Sequence, residues 1–371
     1  MKLIVHAGAF KTATSGLQVY LHSARDRLLS ERRILYPQTG ARRNFGSLNR
    51  HSVSHNLLFH VSKSASDPSG RDKLTETRRA LRIEIGESGA ETIVVSAEKL
   101  SLTKQRDKRL FLALFDDLPV DEFFVVYSLR HFASFVESMT NQDLKNPLKW
   151  PVGIADGMDG TGMLRDIDHW RNLVGPANVT SLYFDPIDHH GFCAEMLTAL
   201  GCDAQDANSL ALTADNTSAS LNTVHVAGAL SKVVHGAEVD RHVRKVILET
   251  IAKLEGAWEA PAKAVALPQK LVKNLSLLFA SKREEIEASL TPASRVRLDA
   301  DLRRRSIQVS QTPNVDTPAM LTRNDILELV LATHRSTEVG ALIAQYLERA
   351  PKKTGRRIEQ QNAEVTQVRS S

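Results

Sequence analysis

Cysteine is nearly absent from this chain: two residues of 371, Cys193 and Cys202. Two thiols build neither a disulfide framework nor a zinc site without further ligands, and both read as buried thiols. Aromatic residues make up only 5%, too few for the stacking platforms of single-strand nucleic-acid modules. No run of about 18 apolar residues occurs, and the apolar opening is short and leads straight into a strand pattern, so neither a membrane span nor a secretory leader is expected. These absences predict a cytoplasmic protein without a nucleic-acid partner. What is plentiful is ordinary globular material, 42% hydrophobic and 25% charged, with a net charge of +5 spread among interspersed acids and bases. Such a field suits an anionic small molecule or glycan. The denser basic runs, Arg303-Arg304-Arg305 and the stretch from Lys352 to Arg357, read as a solvated helix face and a polar tail without assigned function.

Short β-branched or aromatic runs predict strands over 2–6, 34–36, 92–96, 123–128 and 179–184. Amphipathic helical stretches separate them, over 14–30, 71–85, 103–115, 131–145, 162–173 and 188–200. Strands alternating with helices predict an α/β fold, a three-layer parallel sheet flanked by helices. The boundaries expected are an α/β core over 1–235, a helical C-terminal extension over 236–350 and a basic, disordered tail over 351–371. Residues 42–70, rich in Ser, Asn, His and Gly, read as one long loop lying over a site. In parallel sheets ligands bind beyond the carboxyl ends of the strands, which directs attention to Lys11, Glu98 and Arg130.

The first strand, Leu3-Ile4-Val5-His6, runs into Ala7-Gly8-Ala9-Phe10-Lys11-Thr12-Ala13-Thr14-Ser15-Gly16-Leu17-Gln18. A small-residue turn with one lysine, leading into a helix that opens on hydroxyls, is a phosphate grip: backbone N–H groups and the helix dipole face the anion. It is not a Walker A sequence, because Lys11 precedes Gly16 instead of following it. Lys11-Thr12-Ala13-Thr14-Ser15 with Leu17-Gln18 resembles the 5′-phosphosulfate loop of sulfotransferases that use 3′-phosphoadenosine-5′-phosphosulfate (PAPS). That loop reads P-K-[ST]-G-T-[TS] or, in many bacterial members, H-K-T-[GA]-T-T-S-[IL]-Q. Phe10 replaces the usual Pro or His, and Ala13 stands where many members have Gly. A positive φ at position 13 would cost Ala roughly 1 kcal/mol.

The fourth strand ends Tyr127-Ser128-Leu129-Arg130, and Ser138 follows eight residues later. This resembles the same family's 3′-phosphate element. His131 and Ser138 are seven residues apart, about two helical turns, which returns Ser138 to the face where the chain enters the helix, beside the forked donors of Arg130. Glu98, just past the third strand, is placed to take a proton from an attacking hydroxyl; Ser96-x-Glu98 capping a following helix is the equally open structural reading. His6, His51 and His55 are the alternative bases. His51 and His55 have i, i+4 spacing but no third ligand nearby, so they read as substrate-loop residues on an acceptor wall with Arg42, Arg43 and Arg50, and no metal site is expected.

The resemblance covers 1 to about 235. It implies a P-loop NTPase-like sulfotransferase fold, PAPS as co-substrate without a metal, and a hydroxyl or amine acceptor, in particular a carbohydrate. It assigns Lys11, Thr12, Ala13, Thr14 and Ser15 to the phosphosulfate, Arg130 and Ser138 to the 3′-phosphate, and Lys11 with Glu98 to catalysis. Two rivals share the architecture: a P-loop kinase or NTPase, which would need a magnesium-binding Asp closing a strand, and a non-catalytic nucleotide- or glycan-binding protein.

Overall fold

The computed structural model describes residues 1–9, 12–43, 53–64, 67–144, 159–210 and 269–311. Lys11, Phe10, Arg50 and His51 lie outside the described residues, as do the tail and most of 236–350. One compact unit comprises Met1–Met139, Ile154–Ser218 and Leu267–Asn314; the second comprises Thr140–Gly153, Ala219–Ala266 and Val315–Ser371, and only 140–144 of it are described.

In chain order the first unit holds β1 (Lys2–His6), α1 (Thr14–Ser23), α2 (Arg25–Arg32), β2 (Ile34–Leu35), β3 (Arg42–Arg43), β4 (Val53–Ser54), α3 (Asn56–Lys63), α4 (Pro68–Ser88), β5 (Thr92–Ser96), α5 (Gln105–Leu112) and β6 (Glu122–Leu129). There follow α6 (Phe132–Leu144), which runs on into 140–144, α7 (Gly162–Val174), β7 (Val179–Tyr183), α8 (His189–Ala199) and α9 (Ala207–Leu210). The last helices are α10 (Gln269–Ser281), α11 (Arg283–Ser289) and α12 (Pro292–Gln311). Five strands form one parallel sheet in the order β2-β5-β1-β6-β7.

Strand residues alternate between two cores, as a period of two requires. Leu3, Val5, Ile93, Val95, Val125 and Tyr127 pack with residues of α3 to α7 and α10. Ile4, Val94, Val126 and Leu182 pack with Leu17, Tyr20 and Leu21 of α1 and with Phe192, Met196 and Leu197 of α8. The sheet is therefore covered on both faces, and its central strands read as continuous apolar runs for that reason. Cys193 and Cys202 are buried free thiols in the second core.

Two expectations need correction. The stretch 42–70 is not one loop: it contains the antiparallel pair β3 and β4 and the helix α3, whose Leu58, Phe59 and Val61 are buried. The predicted helix over 14–30 is two helices, broken at Ala24. Residues 269–311 group with the sheet in one compact unit. Leu290 forms a parallel bridge with Ser181, and the Thr291 amide donates to Ser181 O at 3.3 Å, so the open edge of β7 is covered. Behind it Arg297, 5% exposed, donates to Tyr183 O, Asp188 and Glu195, while the Tyr183 hydroxyl donates to Asp301 at 2.6 Å.

Candidate functional site

The chain leaves β1 toward one side of the sheet, to β2, and leaves β6 toward the other, to β7. The reversal falls between β1 and β6, and at such a switch point, beyond the carboxyl ends of the strands, doubly wound sheets take their ligands. The two segments that the sequence picks out for anions follow these two strands, Lys11 itself lying outside the described residues. The turn after β1 stays beside β6 for two further bonds, Ala7 N to Val126 O at 3.0 Å and Ala9 N to Ser128 O at 3.3 Å. Thr12 is buried and its hydroxyl donates to Ala9 O at 2.7 Å, closing the turn. Ala13 then takes φ 58, ψ 12, and α1 begins at Thr14.

Left-handed backbone is unfavourable for alanine, and such conformations persist where surrounding structure over-determines them. Here the flanking Ala9–Thr12 bond and the buried start of α1 do so. The helix has no side-chain cap, and the buried Thr14 hydroxyl has no hydrogen-bond partner among the described residues. An uncapped helix start with an orphaned hydroxyl is a donor set waiting for an acceptor. Ser15 is half-buried on the same first turn.

Under the turn lies a polar floor. His6 Nδ1 faces Ser96 Oγ at 3.0 Å, and Gln18 Nε2 donates to that same oxygen at 3.1 Å. Burial pushes His6 down to about 4, so it is neutral at pH 7. Wholly buried and engaged at Nδ1, it is no candidate base. A side chain at Gly8 would stand 2.8 Å from His6 Nε2 and 3.0 Å from Ser128 Oγ, so only glycine lets the turn lie this close to the strand ends.

Arg130 follows β6, its guanidinium 5.3 Å from the Phe184 ring centre. Burial, with Arg305 as a neighbouring like charge, lowers it to about 10, still protonated at neutral pH. The helix α6 starts two residues later and carries Ser134 and Ser138 one turn apart, both half-buried. Arg305 of α12 reaches across to Ser134, Nη2 to Oγ 2.8 Å, while its Nε contacts both carboxylate oxygens of Asp301 at 3.0 Å. Arg304 pairs with buried Asp185. The Arg303-Arg304-Arg305 run is thus not a free solvated face, since two of its three members join the edge that holds Arg130. The sequence signal was visible as a charge run; its docking is a tertiary fact.

No protein-family model, curated protein or solved structure matches this chain.

Glu98 is half-buried and opens a 3-10 turn, Glu98–Leu100, directly after β5. The next α-helix begins only at Gln105, and Ser96 Oγ is taken by His6 and Gln18, so Ser96-x-Glu98 caps no helix. His55 is a correction: it is fully buried, its Nε2 on Pro37 O at 2.8 Å and its Nδ1 facing the Ser96 amide at 3.2 Å. Both nitrogens bind backbone, so His55 fastens the segment after β2 to the end of β5 and presents nothing to an acceptor. Among the described residues no cluster of three or more His, Cys, Asp or Glu is gathered for a metal, and no helix is long and apolar enough to cross a membrane. A shallow hollow of about 510 Å³ beside Met1, Lys2, Glu91 and Glu122 opens at the opposite, amino-terminal edge of the sheet, away from every group described above.

Proposed function

We propose that this protein is a PAPS-dependent sulfotransferase that moves a sulfuryl group to a hydroxyl or amine, in particular of a carbohydrate. What supports the reading is that two segments suited to anions stand after neighbouring strands: the uncapped, hydroxyl-bearing start of α1, and Arg130 followed by the helix α6 that carries Ser138. One nucleotide with phosphate groups at both its 5′ and 3′ positions uses both; ATP, which has no 3′-phosphate, leaves the second unused.

In this reading the amides of the turn and the hydroxyls of Thr12, Thr14 and Ser15 hold the 5′-phosphosulfate, with Lys11 neutralising the bridging oxygen. Arg130 and Ser138 hold the 3′-phosphate, and Arg305 adds positive charge along the same face of α6. Glu98 takes the proton of the acceptor as its oxygen or nitrogen bonds to sulfur and the sulfur–oxygen bond to the 5′-phosphate breaks, releasing adenosine 3′,5′-bisphosphate. Positioning and charge stabilisation supply the acceleration, as in phosphoryl transfer. The test is sulfate transfer from PAPS to a panel of glycans and amines without magnesium. Transfer that survives chelator and falls by about a hundredfold or more in Glu98→Gln supports the reading; strict magnesium dependence, or phosphate transfer from ATP, defeats it.

A further inference from the structure

The turn that carries Glu98 is fastened residue by residue. The Ala97 amide donates to His6 O at 3.0 Å, the Lys99 amide to Asn56 Oδ1 at 3.0 Å, the Leu100 amide to Ala97 O at 3.1 Å and the Ser101 amide to Glu98 O at 3.0 Å. Leu102 then adopts φ 59, a conformation that leucine disfavours and that needs support from both sides. That support comes from one buried polar cluster. Lys108 of α5, wholly buried, donates to Thr103 O at 2.9 Å and pairs with Asp166 of α7, which is 1% exposed. Against the burial that raises the Asp166 carboxyl, Leu102 and Tyr127 act to lower it as electrostatic neighbours, although its Oδ2 has no hydrogen-bond partner among the described residues; the bonded link to β6 is Tyr127 OH, which meets Ser101 Oγ at 3.3 Å. Tyr127 stands on β6 three residues before Arg130.

A buried ion pair adds little stability over an apolar pair of equal volume, because desolvation offsets the attraction. Its distinctive effect is to admit a single arrangement of the groups bonded to it. The arrangement here ties the Glu98 turn to the strand that ends in Arg130. We propose that Lys108, Asp166 and Tyr127 are positioning residues that hold the Glu98 turn in register with the Arg130 strand end. None of them touches substrate. The inference rests on the reading of Glu98 as the base.

The experiment compares Lys108→Met/Asp166→Asn, which leaves no unpaired buried charge, and the milder Tyr127→Phe with the parent protein. Amide hydrogen exchange at residues 100–103 is expected to quicken by about tenfold or more in the double variant, with β1 and α8 unchanged. Magnesium-free hydrolysis of PAPS to sulfate and adenosine 3′,5′-bisphosphate, with water as acceptor, is expected to lose about tenfold in kcat while KM stays within about twofold. Adding Glu98→Gln to the double variant should cost far less than Glu98→Gln alone, since a misplaced base has little left to lose. Unchanged exchange at 100–103 in both variants, or losses that simply multiply with Glu98→Gln, overturns the proposal. If the parent protein neither binds adenosine 3′,5′-bisphosphate nor releases sulfate, the sulfotransferase reading and the catalytic purpose of the network fall together. The exchange rates then still report whether the network pins the turn, so the two failures are told apart.

Discussion

Two buried polar regions of this molecule use similar residues to opposite ends. At the β7 edge, Arg297, Glu195, Ser294, Tyr183 and Asp301 form a clamp in which these side chains bond one another: Ser294 Oγ donates to Glu195 at 2.8 Å, Arg297 to the same carboxylate at 2.8 Å, and the Tyr183 hydroxyl to Asp301 at 2.6 Å. At the end of β1, Thr14 Oγ1, Ser128 Oγ and His6 Nε2 are buried without a hydrogen-bond partner among the described residues, beside an alanine held at φ 58. The clamp is closed among these five side chains, although Ser181 Oγ on β7 and Arg304 Nε also lack a partner among the described residues, and a closed network fixes the fold. Orphaned polar atoms next to strained backbone, at the topological switch of the sheet, fit the proposed ligand site, which would hold them at the expense of stability.

Acid should break this contrast most strongly. Burial lowers His6 and His55 to about 4 and His131 to about 3, against an ordinary 6.5. A histidine with a depressed folded pKa is protonated first in the unfolded chain, so stability is full above pH 6.5 and is lost as pH falls toward 4. His6 and His55 each account for up to about 3 kcal/mol of that loss and His131 for up to about 5 kcal/mol. All three lie at or beside the site edge, so hydrogen exchange near pH 4.5, corrected for intrinsic rates, should show β1 and β5 opening before the β7 clamp. Opening of the clamp first would reverse the comparison.

Arg297→Met attacks the other side. It leaves the largely buried Glu195 carboxylate without its guanidinium partner and should cost about 3 kcal/mol or more in urea denaturation, with bisphosphate affinity of the folded fraction unchanged. Thr14→Val should do the converse: stability within about 0.5 kcal/mol, because the hydroxyl has no partner to lose among the described residues, and nucleotide affinity down about tenfold, about 1.4 kcal/mol. A stability loss in place of an affinity loss would make Thr14 structural. The smallest effect is expected from Ala13→Gly, which relieves the left-handed backbone and should raise stability by about 0.5–1 kcal/mol, visible as a shift in the denaturation midpoint.

The sheet strands were legible in the sequence because each is a compact β-branched or aromatic run buried on both faces, such as Ile93-Val94-Val95. The placement of the β1 turn and Arg130 just past the carboxyl ends of parallel strands followed from the alternation of strands and helices, whereas the switch point between them is a fact of the strand order. What escaped depends on partners far along the chain. His55 looked like a loop histidine because nothing local announces that Pro37 O and the Ser96 amide enclose it. The arginine run at 303–305 has Asp301 at helical spacing, the pattern of a solvated face; its contacts with Ser134 and Asp185 lie more than a hundred residues away. The two-residue strands β3 and β4 carry too few side chains to show a period.

The central claim is that the β1 turn and the Arg130 element hold opposite ends of one nucleotide. Calorimetric titration without magnesium, using adenosine 3′,5′-bisphosphate and then ADP on the parent protein and on Arg130→Ala, tests it most directly. The account predicts a preference for the bisphosphate of at least about tenfold, about 1.4 kcal/mol, that disappears in Arg130→Ala while ADP binding is unchanged. Equal affinity for the two nucleotides, or ADP binding only once magnesium is added, would contradict it and favour a kinase built on the same sheet.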